Sequence, residues 1–164
     1  MQIWFFPDKD FSEIGRLRNL QELELIQCKT ATLDGINDMP SLKKIFLRYS
    51  RTLQNIDALS GCPNLEEIWI EKCAKLLDIN LKSQSLHTLH LDCVANLNFL
   101  PQLPRNMKLF SFADLKDGNM QPILDFFTHP DQVGFSPKRP HYQYTLDELL
   151  NLLAQKNGKY SEPK

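Results

Sequence analysis

Residues 20–28 read LQELELIQC, and the same arrangement returns as LKKIFLRYS at 42–50, LEEIWIEKC at 65–73 and LHTLHLDCV at 86–94. Each copy has an apolar residue at its first, fourth and sixth positions and Cys, Ser or Val at its ninth. The copies follow one another at 21 to 23 residues, the kind of internal period that marks a repeat architecture. Within a copy, apolar and variable residues alternate, which is the period of a strand with one buried face. Each copy therefore predicts one rung of a stack. A looser fifth copy is Met107, Phe110, Phe112 and Leu115, and Ile3 with Phe5 supplies a truncated strand ahead of the first.

Working outward from the strands, a second apolar set recurs at spacings of three: Leu33, Ile36 and Met39; Leu53, Ile56 and Leu59; Leu97, Leu100 and Leu103. These predict a return path of loose helical or 3₁₀ turns. Turn residues at 35–40 and 61–64, including Gly35, Pro40, Gly61 and Pro63, stand where the chain swings back into the next strand.

In these residues the sequence resembles the leucine-rich-repeat family, over about Leu17 to Leu115. The resemblance implies an α/β fold: a right-handed leucine-rich-repeat solenoid with a parallel concave β-sheet, an irregular or 3₁₀ convex side and a C-terminal helical cap. It also implies protein–protein recognition as the usual role. Cys28 and Cys73 occupy the last consensus position, where the family turns a residue inward onto neighbouring backbone. Later repeats gain or lose a residue and carry Cys or Ser where many relatives have Asn, so uneven curvature is expected.

A stack of repeats needs atypical ends to cover its outermost apolar flanks. The 164 residues are read as a single domain, with an N-terminal cap at 1–19, repeats at 20–115 and a C-terminal cap at 116–164. Phe11, Ile14, Leu17 and Leu20 follow a helix-like spacing. Met120 to Phe127 predicts a short apolar helix, and Pro130 to Tyr144 a Pro-rich loop with the aromatic cluster His141, Tyr142 and Tyr144. A final helix is predicted at about 145–156. Thr145 and Glu148 form a capping box, Leu146, Leu149, Leu150, Leu152 and Leu153 make its apolar stripe, and Asn157-Gly158 ends it.

If the repeated Leu and Ile point inward, the residues between them face outward on the concave side. One such column reads Trp4, Glu24, Phe46, Trp69, His90, Ser111. The next reads Phe6, Ile26, Arg48, Glu71, Asp92, Ala113, and the preceding one Glu22, Lys44, Glu67, Thr88, Leu109. Tyr49 and Lys72 lie at strand ends. Phe46, Trp69 and Tyr49 put large aromatics where the repeat requires none, framed by charge, a composition typical of binding hot spots. Stacking of Phe46 on Trp69 to stiffen the sheet is the other role open to them. The expected partner-binding set is Glu24, Phe46, Arg48, Tyr49, Glu67, Trp69, Glu71, His90 and Asp92. Glu22, Glu24, Glu67, Glu71, Asp92 and Asp114 outweigh Lys44, Arg48 and Lys72, which favours a modestly basic protein partner.

Other function classes find little support. The net charge is −1 with no long run of one sign, so nucleic acid is not expected as a partner. Met1 to Phe6 lacks a positive n-region and meets Pro7 to Asp10 at once, unlike a signal peptide. No apolar run approaches the ~20 residues that span a bilayer. The four cysteines, Cys28, Cys62, Cys73 and Cys93, form no CxxC or zinc spacing and are expected as reduced thiols. Cys28 and Cys73 lie two rungs, about 10 Å, apart. No phosphate loop, HExxH or GxSxG is present, and His87 and His90 fall on opposite faces. No metal or cofactor is expected, and no enzyme; a thiol-dependent hydrolase using Cys93 and His90 is the rival from another class. A chain that starts at Met1 and bears two caps is expected to be a complete small cytosolic protein, monomeric alone. In this it is similar to the leucine-rich-repeat immunity proteins with which some bacteria neutralise toxins. The alternative is an adaptor or effector repeat domain, as in the ubiquitin-ligase and plant immune-receptor repeats whose Cys-bearing rungs these also resemble.

Overall fold

A computed structural model describes residues 1–6, 10–76 and 79–160. Pro7 to Lys9 of the expected N-terminal cap and residues 161–164 of the C-terminal cap lie outside the described residues. Among the described residues seven strands form one sheet in chain order: β1 (Gln2–Trp4), β2 (Glu22–Ile26), β3 (Lys44–Arg48), β4 (Glu67–Glu71), β5 (Thr88–Leu91), β6 (Leu109–Phe112) and β7 (Val133–Phe135). Every neighbouring pair is parallel. Equivalent repeat positions stand side by side, Leu23 against Ile45, Ile45 against Ile68, and Ile68 against Leu89. The two inward residues of β2 to β6 are therefore stacked and essentially solvent-free. Entry into the strands is fixed in one way: the carbonyls of Gln21, Lys43, Glu66 and His87 each accept two backbone N–H groups from the next rung.

The return path closes over this stack. All three predicted convex triads are buried, and 3₁₀ turns form at Asp57–Gly61 and Leu100–Gln102. The rung after β4 supplies Leu76, Ile79 and Leu81, a set whose irregular spacing hid it in the sequence. Gly35, at φ +99°, lets one return segment pass against another: a Cβ there would lie 2.3 Å from the Ser12 amide nitrogen. This α/β arrangement, a parallel sheet with few helices, is compatible with a leucine-rich-repeat solenoid.

The ends depart from expectation. Helix α1 is one turn, Ser12–Gly15, with Phe11 and Ile14 buried but Leu17 beyond it and 43% exposed. Phe5 is not an inward strand residue. Its φ of +55° turns the chain, so Phe5 is exposed and Phe6 goes inside to stack on Phe11 with ring centroids 4.7 Å apart. The expected Pro-rich loop contains β7, whose short VGF run between Pro130 and Pro137 carried no strand signal. Helix α2 is Gln121–Phe126, and α3 is Leu146–Tyr160, passing through Gly158 rather than ending there. The capping box is formed: Thr145 N donates to Glu148 Oε2 at 2.7 Å and Glu148 N to Thr145 Oγ1 at 3.2 Å. Leu149 and Leu153 are fully buried, with α3 against β7, α2 and the turn Pro130–Gln132.

Candidate binding surface

The outward residues of β2 to β6 align as a map. Glu24, Phe46, Trp69, His90 and Ser111 are register neighbours, as are Ile26, Arg48 and Glu71, and Glu22, Lys44, Glu67, Thr88 and Leu109. At β1 the expected columns shift by two residues. Gln2 stands beside Glu24 and Trp4 beside Ile26, because the left-handed turn falls at Phe5. Ile26, between Trp4 and Arg48 on the outward side, is only 4% exposed.

Phe46, Trp69 and His90 form a half-buried stacked spine, with centroids 6.4 Å apart for Phe46–Trp69 and 4.9 Å for Trp69–His90. The Arg48 guanidinium lies 5.7 Å from the Phe46 ring centroid. Its Nε is 3.3 Å from Glu24 Oε1 and 3.6 Å from Glu71 Oε2, close enough for charge attraction though neither contact is a directed hydrogen bond. Lys44 pairs with Glu67 at 3.1 Å and Lys72 with Asp92 at 3.2 Å, and each carboxylate raises its lysine's pKa. Asp114 is drawn away to Arg139 at 3.3 Å. Among the described residues Glu22 makes no ion pair, and Arg48 serves two carboxylates, so the face keeps a small acidic surplus.

Burial lowers the pKa of His90, opposed by Glu71 and Asp92, and its Nδ1 shares a 2.8 Å hydrogen bond with Ser111 Oγ. Cys93 is left-handed at φ +67°, and its thiol lies 3.4 Å from Asp92 Oδ1. Desolvation and then the Asp92 charge push that thiol up, the reverse of an activated nucleophile. Cys73 is pushed up to about 11 by burial, and its Sγ lies 3.6 Å from the Leu47 carbonyl. All four cysteines are free. Among the described residues no group of three or more His, Cys, Asp or Glu side chains is placed to hold a metal, and no helix is long and apolar enough to cross a membrane.

With this surface defined, the chain's likeness to known proteins can be placed. It is similar to the disease resistance protein RPS4B of Arabidopsis thaliana, 36% identical over 117 residues that cover 65% of this chain and 10% of that protein. It is also similar to the disease resistance protein RPS6 of the same plant, 31% identical over 86 residues covering 52% of this chain and 8% of that protein. The chain thus spans about a tenth of the length of the curated relatives it matches. No family model matches. No solved structure matches.

The structure brings eight of the nine expected site residues onto the outward face of the sheet or its immediate end. Tyr49 differs: at φ +56° it leaves the face and stands at the rim, 47% exposed. Phe5, Gln27, Tyr49, Lys72 and Cys93 all adopt φ between +55° and +67°. They are successive equivalents: the first four stand one residue past the last register pair of their strand, and Cys93, two past Leu91, holds the same eighth position of its repeat. Sequence reasoning missed Phe5 and Gln27 at this rim. Their signal was available: both occupy the position before the ninth of the repeat, the same place as Tyr49.

Proposed function

We propose that this chain is a non-catalytic protein-recognition module, built as a right-handed leucine-rich-repeat solenoid with α3 as its C-terminal cap, and that it holds one protein partner across its concave face. The observation that carries this reading is the in-register outward column Glu24–Phe46–Trp69–His90. The stacked rings are half-buried inside a frame of ion pairs, a rigid apolar anchor with a polar rim. The raised Cys93 thiol and the engagement of His90 with Ser111 support a non-catalytic role. The acidic surplus at Glu22 and around Arg48 supports a modestly basic partner. The names of the relatives support plant disease resistance as the setting, ahead of neutralisation of a bacterial toxin. A cytoplasmic location and a monomeric state belong to the same reading.

Immobilised chain and its Phe46→Ala/Trp69→Ala variant, exposed to a leaf extract, test it. At least one protein should be retained by the wild type and depleted about tenfold or more by the variant. The purified protein should then bind in a 1:1 ratio by calorimetry. Equal retention by both forms overturns the concave-face assignment.

A further inference from the structure

We propose that the rim of the sheet at β1 to β3 is a second binding site, one that takes an acidic peptide segment of a partner bearing an aromatic side chain. This goes beyond the concave-face reading and rests on other residues. Phe5, Gln27 and Tyr49 are left-handed equivalents in three successive rungs, and that backbone aims their side chains off the sheet onto one open cleft of about 350 Å³. Phe5 is 59% exposed and Tyr49 47%. Trp4, also exposed, stands beside Phe5 with ring centroids 6.2 Å apart. Three of the five exposed large apolar or aromatic side chains among the described residues thus gather at one place. Exposed apolar side chains gathered in this way mark interaction sites.

Spacing and charge define the occupant. Phe5 and Tyr49 stand on rungs two strand spacings apart, about 10 Å, a span that one aromatic ring laid across the rim can bridge. Gln27 lies between, and its amide makes no side-chain hydrogen bond among the described residues. The cleft is also lined by Lys29 and Arg51, both exposed, and by no carboxylate. Neither cation makes an ion pair among the described residues, whereas Lys44 and Arg48 on the outward face, and Lys72 farther along the rim, are all paired. The rim is therefore cationic where the face leans acidic. A volume near the lower end of ligand pockets suits one or two side chains of a peptide better than a cofactor.

The test is an amide NMR titration of the full chain with an acetylated, amidated peptide holding one tryptophan between two pairs of glutamates. The expected result is saturable shifts at Gln27, Lys29 and Tyr49. A peptide with lysines in place of the glutamates should bind at least tenfold more weakly, as should 3-phenylpropionate. Tyr49→Ala and the exposed-site pair Lys29→Glu/Arg51→Glu should each weaken the acidic peptide about tenfold; the pair decides if Tyr49→Ala lowers the melting temperature. Shifts confined to Phe46, Trp69 and His90 overturn the proposal while leaving the concave-face reading intact. It is equally overturned if the basic peptide binds as well, if 3-phenylpropionate binds as tightly as the peptide, which would make this a small-ligand pocket, or if rim signals move on dilution alone, which would assign the rim to a second copy of the chain.

Discussion

His90 shows how one side chain ties face and stability together. It is stacked on Trp69, bonded to Ser111 and partly removed from water, so its neutral form is the one the fold favours. Burial sets its folded pKa below the ordinary 6.5 despite the pull of Glu71 and Asp92. The unfolded chain then takes up the proton at a higher pH than the folded one, and protonation favours unfolding. This contribution is complete above about 6.5 and shrinks as pH falls through and below that value. Melting curves between pH 7.5 and 5.5 should show the wild type losing more stability than His90→Gln over that window. Parallel losses in the two proteins would show that His90 is not neutralised by the fold. At the same scale, five non-glycine residues among those described hold a left-handed backbone, at a cost of order 1 kcal/mol each, because the hydrogen bonds of the next rung over-determine them: Gln27 N donates to the Arg48 carbonyl and Tyr49 N to that of Glu71, both at 2.9 Å.

Among the elements, those with a repeated or chemically explicit signal were legible in the sequence. β2 to β6 follow from apolar residues that recur in phase, and the start of α3 from Thr145 and Glu148. β7 was not legible, since three residues cannot establish a period and its pairing with β6, Ser111 beside Gly134, is decided across the sheet. β1 was placed but its face was misread: alternation assigns Phe5 inward, and only the left-handed turn that the rungs of β1 to β5 share sends Phe6 inside instead. The same turn carried Tyr49 off the outward face, whereas the column Glu24–Phe46–Trp69–His90 was readable because strand alternation alone fixes it. Helix α3 also carries an expectation of its own. It buries Leu149 and Leu153, and its Lys156 ammonium bonds the Leu124 carbonyl of α2. A chain ending at Tyr144 bares those contacts, so it should melt lower and elute as oligomer or aggregate in size-exclusion chromatography with light scattering. A monomer of unchanged melting temperature would remove α3 from the capping role.

For the whole molecule, the central question is whether stability and recognition reside in separate layers. One apolar core runs from Phe6 to Leu153, so each rung is held by its neighbours. The outward spine lies on the other side of the same strands. Leu47 is 1% exposed and paired in register with Leu25 and Ile70. Leu47→Ala leaves a cavity between three rungs and should cost about 2 to 5 kcal/mol. Phe46, its chain neighbour, faces outward and is half-buried. The stacking of Phe46 on Trp69 is worth about 0.5 to 1.5 kcal/mol beyond burial, so Phe46→Ala should cost distinctly less than Leu47→Ala. Urea unfolding of the two variants measures the difference. A clear gap means that the aromatic face is held in place by the core and is free to be used for binding. Equal costs would mean that Phe46 is itself structural, and the recognition surface on this face would then contract toward Trp69 and His90.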